Sequence, residues 1–132
     1  MTEEQLRDYY EEKTDRLLTE LCIPRYFKGF SYLKEAIVGV LCDSRFPGYV
    51  GRSIYAPIAE RGGTTVPRVE RDIRHAIAAA WEKGSVTLLR DHFGRGAGAA
   101  AARPSNTRFI RAAVKALCAG YARDPQLTAN RV

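Results

Sequence analysis

The sequence predicts one compact, multi-helix all-α domain built around a helix-turn-helix. Three observations carry this expectation. Apolar residues recur at steps of three and four in four separate stretches, the spacing that gathers them on one face of a helix. Glycine and proline fall between those stretches and punctuate them. The chain has 132 residues, 45% of them hydrophobic and 27% charged, which suits one core, because domains commonly hold about 100–200 residues.

The first element is an acidic N-terminal helix within residues 1–22. Leu6, Tyr9, Tyr10, Leu17, Leu18 and Leu21 form its apolar side, and Thr2 can cap it with Gln5 three residues on. It is expected to pack on the domain; a dimer surface, or a shield for basic residues, is the sharper alternative. Pro24 ends it, and Gly29 separates it from a second helix running from about Phe30 to Cys42. The expected buried stripe of that helix is Leu33, Ala36, Ile37, Val40 and Leu41, with Lys34 and Glu35 outward or sideways. Phe27, Phe30 and Tyr32 cluster at its entry and read as core staples rather than a base-stacking platform.

A turn-rich connection containing Pro47 and Gly48 follows. It leads to Pro57, which can open a short helix as its first residue. Residues 50–55 admit either helix or coil. Gly62 and Gly63 supply the positive φ of a sharp turn, and the next helix runs to Trp81, with Thr64 or Thr65 as cap and Pro67 in its first turn. The motif thus spans about residues 56–82. Gly84 breaks that helix, and SVTLLRDHF forms a short amphipathic turn or helix. GRGAGAAAARP reads as a loop or wing with Arg95 and Arg103; no GK[ST] follows, so a nucleotide loop has no support. Ser105 or Asn106 caps a last helix over residues 107–119, ended by Gly120. The domain is expected to close at about residue 122, with 123–132 a flexible tail.

Several function classes drop out. No apolar run approaches the roughly 20 residues that span a bilayer, and the N-terminus MTEEQLRDYYEEK lacks an apolar leader core; a cytoplasmic protein is expected. Cys22, Cys42 and Cys118 have neither CxxC spacing nor histidine partners, so buried thiols are expected rather than a metal or redox site. The only histidines are His75 and His92, and no nucleophile with a positioned base can be assembled. Neither enzyme activity, a metal nor a cofactor is expected.

Charge is unevenly shared. Residues 1–22 hold seven acids and three bases, while 23–132 hold eighteen bases and eight acids, giving −4 and +10 within a net +6. Such a field attracts polyanions. In the helix after the glycine turn, Val66, Val69, Ile73, Ala76, Ile77 and Ala80 share one face. The opposite face carries Thr64, Arg68, Arg71, Arg74, His75 and Glu82, with Glu70 on its flank. Three arginines on an exposed second helix are the outline of a DNA-reading motif; a solvated basic helix is the plainer alternative. Ala59, Gly63 and Val69 fit the motif, whereas Gly62 and Asp72 stand where an apolar or small residue is usual.

The run TTVPRVERDIRHAIAAAW resembles the recognition helix of the DNA-binding effector domain of the stage zero sporulation protein A response regulators. Upstream, IPRYFKGFSYLKEAIVGV resembles that family's proline, lysine-glycine, aromatic and leucine-[lysine or arginine]-glutamate-alanine-isoleucine segment. Downstream, RPSNTRFIRAAVKAL resembles its lysine-proline-[Ser/Thr]-asparagine entry to a last helix. The likeness is collinear from about Leu17 to Leu117.

The resemblance implies a transcriptional regulator of double-stranded DNA, with the helix from about Thr65 to Trp81 in the major groove. Arginine can present two donors to O6 and N7 of guanine, and a carboxylate can accept from a cytosine amino group. Arg71, Arg74 and Glu70 are therefore the expected base contacts, as the matching family positions also imply. Thr64, Thr65, Arg68 and His75 are the expected phosphate contacts. The family further implies a homodimer on tandem sites through the last helix, and an RNA polymerase sigma-factor contact near Ser85, Leu88, Arg90 and Phe93. It also places a phosphoacceptor receiver ahead of this domain; residues 1–22 are too short for one, so aspartate phosphorylation is not the expected switch of this chain taken alone. A protein-interaction module that keeps the fold without specific DNA readout is the alternative.

Overall fold

In the computed structural model the described residues are 1–43, 46, 50–83 and 103–125. The Pro47-Gly48 turn, the segment with Ser85, Leu88, Arg90 and Phe93, His92, the glycine-alanine stretch through residue 102 and residues 126–132 lie outside them. Among the described residues there are five α-helices and no strand: α1 (Glu3–Glu20), α2 (Lys28–Cys42), α3 (Tyr55–Arg61), α4 (Val66–Lys83) and α5 (Asn106–Arg123), with a 3-10 turn at Arg52–Ile54 leading into α3.

The N-terminus of α1 is closed as the sequence predicts. Gln5 N–H donates to Thr2 Oγ1 at 3.1 Å, and Thr2 N–H donates to Gln5 Oε1 at 2.9 Å, a reciprocal capping box that satisfies two otherwise orphaned donors. Its buried side, Tyr10, Thr14, Leu17 and Leu18, packs on α2 and α5. Termination precedes Pro24 and has a local cause. Ile23 N–H donates to Leu18 C=O, and Cys22 N–H to Thr19 C=O, both at 3.0 Å, while Cys22 takes the left-handed φ of 66°. This is a Schellman closure with cysteine where glycine is usual.

α2 runs through the middle of the molecule and packs against each of the other four helices. It begins before Gly29, which therefore sits inside its first turn instead of separating two elements. The reason is proximity. A Cβ on Gly29 would fall 2.6 Å from Ala76 Cβ and closer still to the Asp72 carbonyl oxygen, so the glycine is what lets α2 meet the backbone of α4. The buried stripe of α2 also differs from the expected one: Leu33, Ala36 and Ile37 are joined by Val38 and Gly39, whereas Val40 and Leu41 are only half-buried. The ring of Phe46 lies across Gly39 and covers that side.

Helix α3 starts two residues before Pro57, so the proline is its third residue rather than its first. The α3–α4 turn repeats the closure of α1. Thr64 N–H donates to Ala59 C=O at 2.9 Å and Gly63 N–H to Glu60 C=O at 3.3 Å, with the positive φ, 62°, on Gly63 alone. Thr65 then caps α4, its Oγ1 accepting from Arg68 N–H at 3.3 Å. At α5 the cap is Ser105, whose Oγ accepts from Arg108 N–H at 3.2 Å. Gly120 does not end α5: the helix continues to Arg123, and Asp124 accepts a 2.7 Å hydrogen bond from Tyr9 Oη. Residues 123 and 124 thus belong to the ordered domain and not to a tail.

The core joins Leu18, Leu33, Ile37, Ile58, Ile73, Ile77, Phe109 and Ile110, all essentially inaccessible to solvent. Phe30 is buried there, and Phe27 and Tyr32 pack against it, as staples should. The cysteines are a correction. Cys22 and Cys118 are exposed and Cys42 is half-buried; apolar neighbours in sequence place Cys118 on α5, but its own position on the helix points it away from the core.

Candidate nucleic-acid interface

Helix α4 is divided cleanly by its own periodicity. Val69, Ile73, Ala76, Ile77 and Ala80 are buried, and they fasten the helix to α2 and α3. Arg68, Arg71, Arg74, His75 and Glu82 are exposed, as are Thr65 and Pro67; Thr64 and Glu70 are intermediate. The burial of one stripe is what fixes the direction of the other. Each expected contact on α4 therefore lies on or beside one outward face at the end of the α3–α4 turn.

The ion pairs on this face are sparse. Arg71 Nε lies 3.7 Å from Asp72 Oδ1, and among the described residues Arg68 and Arg74 have no ion-pair partner. Arg61 of α3 is committed elsewhere, 3.0 Å from Glu35 Oε1 of α2, with Asp43 bound in turn by Arg7 at 3.3 Å. These links anchor α3 to α2 and, through it, the start of α4.

Glu70 is held by residues that the sequence did not connect to it. Arg52 Nε donates to its Oε1 at 3.2 Å and Arg52 NH2 to Oε2 at 3.4 Å, a two-pronged grip that sets the carboxylate plane. Its backbone carbonyl accepts from Asn106 Nδ2 at 2.9 Å, tying the start of α5 to the middle of the α4 face. Arg52 falls in the stretch with no clear periodicity, and Asn106 reads from sequence as a rival cap to Ser105; no local pattern announces either contact.

Around the same spot, Arg52, Tyr55, Arg74, Arg103 and the first residues of α5 enclose a cleft of about 400 Å³. Tyr55 is 1% exposed, and burial pushes its hydroxyl pKa upward, opposed by the neighbouring Thr107 and Asn106 side chains. At physiological pH it is a proton-bearing donor.

Residues 14–117 match the family model described as sporulation initiation factor Spo0A C terminal. The chain belongs to this family. The matched residues take in α2 to α4 entirely, most of α1 and the first two-thirds of α5. Membership in the Spo0A C-terminal family makes the chain a DNA-binding effector domain of sporulation control, and its transcriptional role follows at that level. The family reading matches the helical fold and gives the arginine face of α4 a ligand class. Among the described residues, no helix is long and apolar enough to cross a membrane and no cluster of histidine, cysteine and carboxylate side chains could hold a metal ion.

Proposed function

We propose that this domain is a sequence-specific reader of duplex DNA, with α4 in the major groove. One observation supports this above the others: α4 buries Val69, Ile73, Ala76, Ile77 and Ala80 and directs Arg68, Arg71 and Arg74 outward from the end of a helix-turn-helix. Arg71 and Arg74 present paired donors to guanine O6 and N7, and Glu70 accepts from a cytosine amino group while Arg52 holds its plane. Arg68, His75, Thr64 and Thr65 take phosphates and set register. Regulation of transcription in the cytoplasm, pairing of two copies on tandem sites through α5, and a sigma-factor contact near Ser85, Leu88, Arg90 and Phe93 complete the reading.

The test is selection from a randomised duplex pool at two salt concentrations, followed by sequencing. Enrichment of a short box that survives the higher salt is expected, because phosphate attraction weakens with salt while base contacts persist. Arg71→Ala should then relax preference within the box, by roughly 1–3 kcal/mol of discrimination at one base pair. Arg68→Ala should weaken all duplexes alike. Salt-sensitive binding that enriches nothing would leave only a basic surface, and the domain would be better read as a protein-interaction module.

A further inference from the structure

The cleft at the start of α5 is lined by an unusual set of donors. Arg52, Arg74 and Arg103 bring three guanidinium groups to it. The one carboxylate present, Glu70, is already gripped by Arg52. α5 is an 18-residue helix, so its first N–H groups have no partner within the helix and carry the positive end of its dipole. Ser105 Oγ occupies the N–H of Arg108, which leaves those of Asn106 and Thr107 at the cleft wall. The Asn106 side chain is spent on the Glu70 carbonyl.

Tyr55 is the independent observation. Its side chain is 1% exposed, lines the cleft, and its hydroxyl has no hydrogen-bond partner in the structure. Buried hydroxyls are nearly always satisfied, and an orphan beside a cationic cleft marks a missing acceptor. Two backbone N–H groups, an O–H and guanidinium forks converge on one space; a tetrahedral oxyanion is the ligand whose acceptors match them.

We propose that this cleft seats a phosphate, and that the occupant is a backbone phosphodiester of the bound duplex. The proposal rests on α4 lying on DNA. Two cleft residues, Glu70 and Arg74, belong to the proposed base-reading face, so a strand engaged by α4 passes the mouth of the cleft. A free phosphate monoester would offer the same acceptors, and the experiment separates the two sources. Seated there, the phosphodiester would fix the distance between the strand and the Glu70–Arg74 face, making Tyr55 and Arg103 positioning residues.

Tyr55→Phe and Arg103→Gln are measured against a duplex carrying the selected box, a scrambled duplex and inorganic phosphate, over a salt series. Each variant should weaken both duplexes by a similar factor, about 3- to 10-fold, without changing the preference for the box. Arg103→Gln should also reduce the slope of log affinity against log salt by about 1. Tyr55→Phe should melt no lower than the wild type, because it removes an orphaned hydroxyl and nothing else. Wild-type affinity in both variants, with Arg71→Ala still losing preference, would overturn the phosphate seat and leave the DNA reading standing. A lowered melting temperature in Tyr55→Phe would give the hydroxyl a structural partner and overturn it as well. Perturbation of the Asn106 and Thr107 amide resonances by inorganic phosphate, with duplex affinity untouched in the variants, would assign the cleft to a free anion instead. Failure of the wild type to bind any duplex would remove the DNA reading, and the phosphodiester with it.

Discussion

Gly29→Ala and Gly120→Ala are the same substitution on two helices, and the structure gives them opposite signs. At Gly29 the new methyl would lie 2.6 Å from Ala76 Cβ, where ordinary contact begins near 3.4 Å, and closer still to the Asp72 carbonyl. α2 and α4 must therefore separate by nearly 1 Å along their closest approach. One obstacle is backbone, which cannot rotate aside. Overpacking of this kind costs about 1–3 kcal/mol. The gain in helix propensity from glycine to alanine, at most about 1 kcal/mol in a helix interior, is smaller at this first-turn position. A net loss of about 1–3 kcal/mol is expected, a large share of the roughly 5–15 kcal/mol that holds a domain together. At Gly120 the added methyl meets nothing within 4 Å on an exposed face of α5. Only the propensity gain remains, about 0.5–1 kcal/mol of added stability. Urea denaturation followed by circular dichroism measures both, since a shift of midpoint at constant slope reports stability alone. If Gly29→Ala matched the wild type, the close crossing of α2 and α4 would be wrong; if Gly120→Ala were destabilised by a similar amount, position would not be what decides the sign.

Other substitutions test other features. Cys22→Gly should raise stability by about 1 kcal/mol, because a non-glycine residue in the left-handed region carries a strain of roughly 1–2 kcal/mol and the exposed thiol gives up no burial; thermal melting under reducing conditions reads it, and a lower melting point would contradict the closure described for α1. Thr14 is buried with no partner for its hydroxyl, so Thr14→Val should be neutral or stabilising by up to about 1 kcal/mol, whereas clear destabilisation in the same melt would reveal a hidden hydrogen bond. The Asp15 carboxyl pKa is lowered, first by the hydrogen bond from Arg25 and also by Lys34. A lowered carboxyl pKa contributes stability above the ordinary carboxylate range and loses it as pH falls through the folded value. Asp15→Asn should therefore be less stable than wild type near neutral pH, by less than about 1 kcal/mol for so exposed a network, and the gap should close on acidification; a gap independent of pH would rule out the ionised pair as its source.

The recognition face was legible because a long amphipathic helix states its own geometry. Val69, Ile73, Ala76, Ile77 and Ala80 fix one side, and the arginines then have only one direction to face. Capping was legible at Thr2 and Ser105 for a similar reason, since both use side-chain oxygens at a set distance from the amides they satisfy. Glycine was harder to read. The same residue closes a helix at Gly63, permits a crossing at Gly29 and merely interrupts a good helix at Gly120, and only tertiary contact distinguishes the three. Cys22 shows the converse: a left-handed closure made by a residue that carries no sign of it. The grip of Arg52 on Glu70 lay beyond local pattern because it spans 18 residues and joins two elements, one of them a turn without periodicity. Cys118 was misjudged because helical context alone does not say on which side of the cylinder a residue falls.

The hydrogen bond from Tyr9 to Asp124 joins positions 115 residues apart, and around it Tyr10 stacks on Tyr121 with ring centroids 5.7 Å apart. The beginning and end of the described chain are thereby fastened together. A neighbouring domain attached at either end would be delivered to the same edge of the molecule, so the order of modules in a larger protein could be reversed without moving them far in space. The same closeness makes the fold a candidate for circular permutation, with a short tether from residue 125 to residue 2 and new termini opened elsewhere on the surface. Its identity as a domain would then reside in the contacts of its five helices, and the point at which the polypeptide starts would be an accident of genetics.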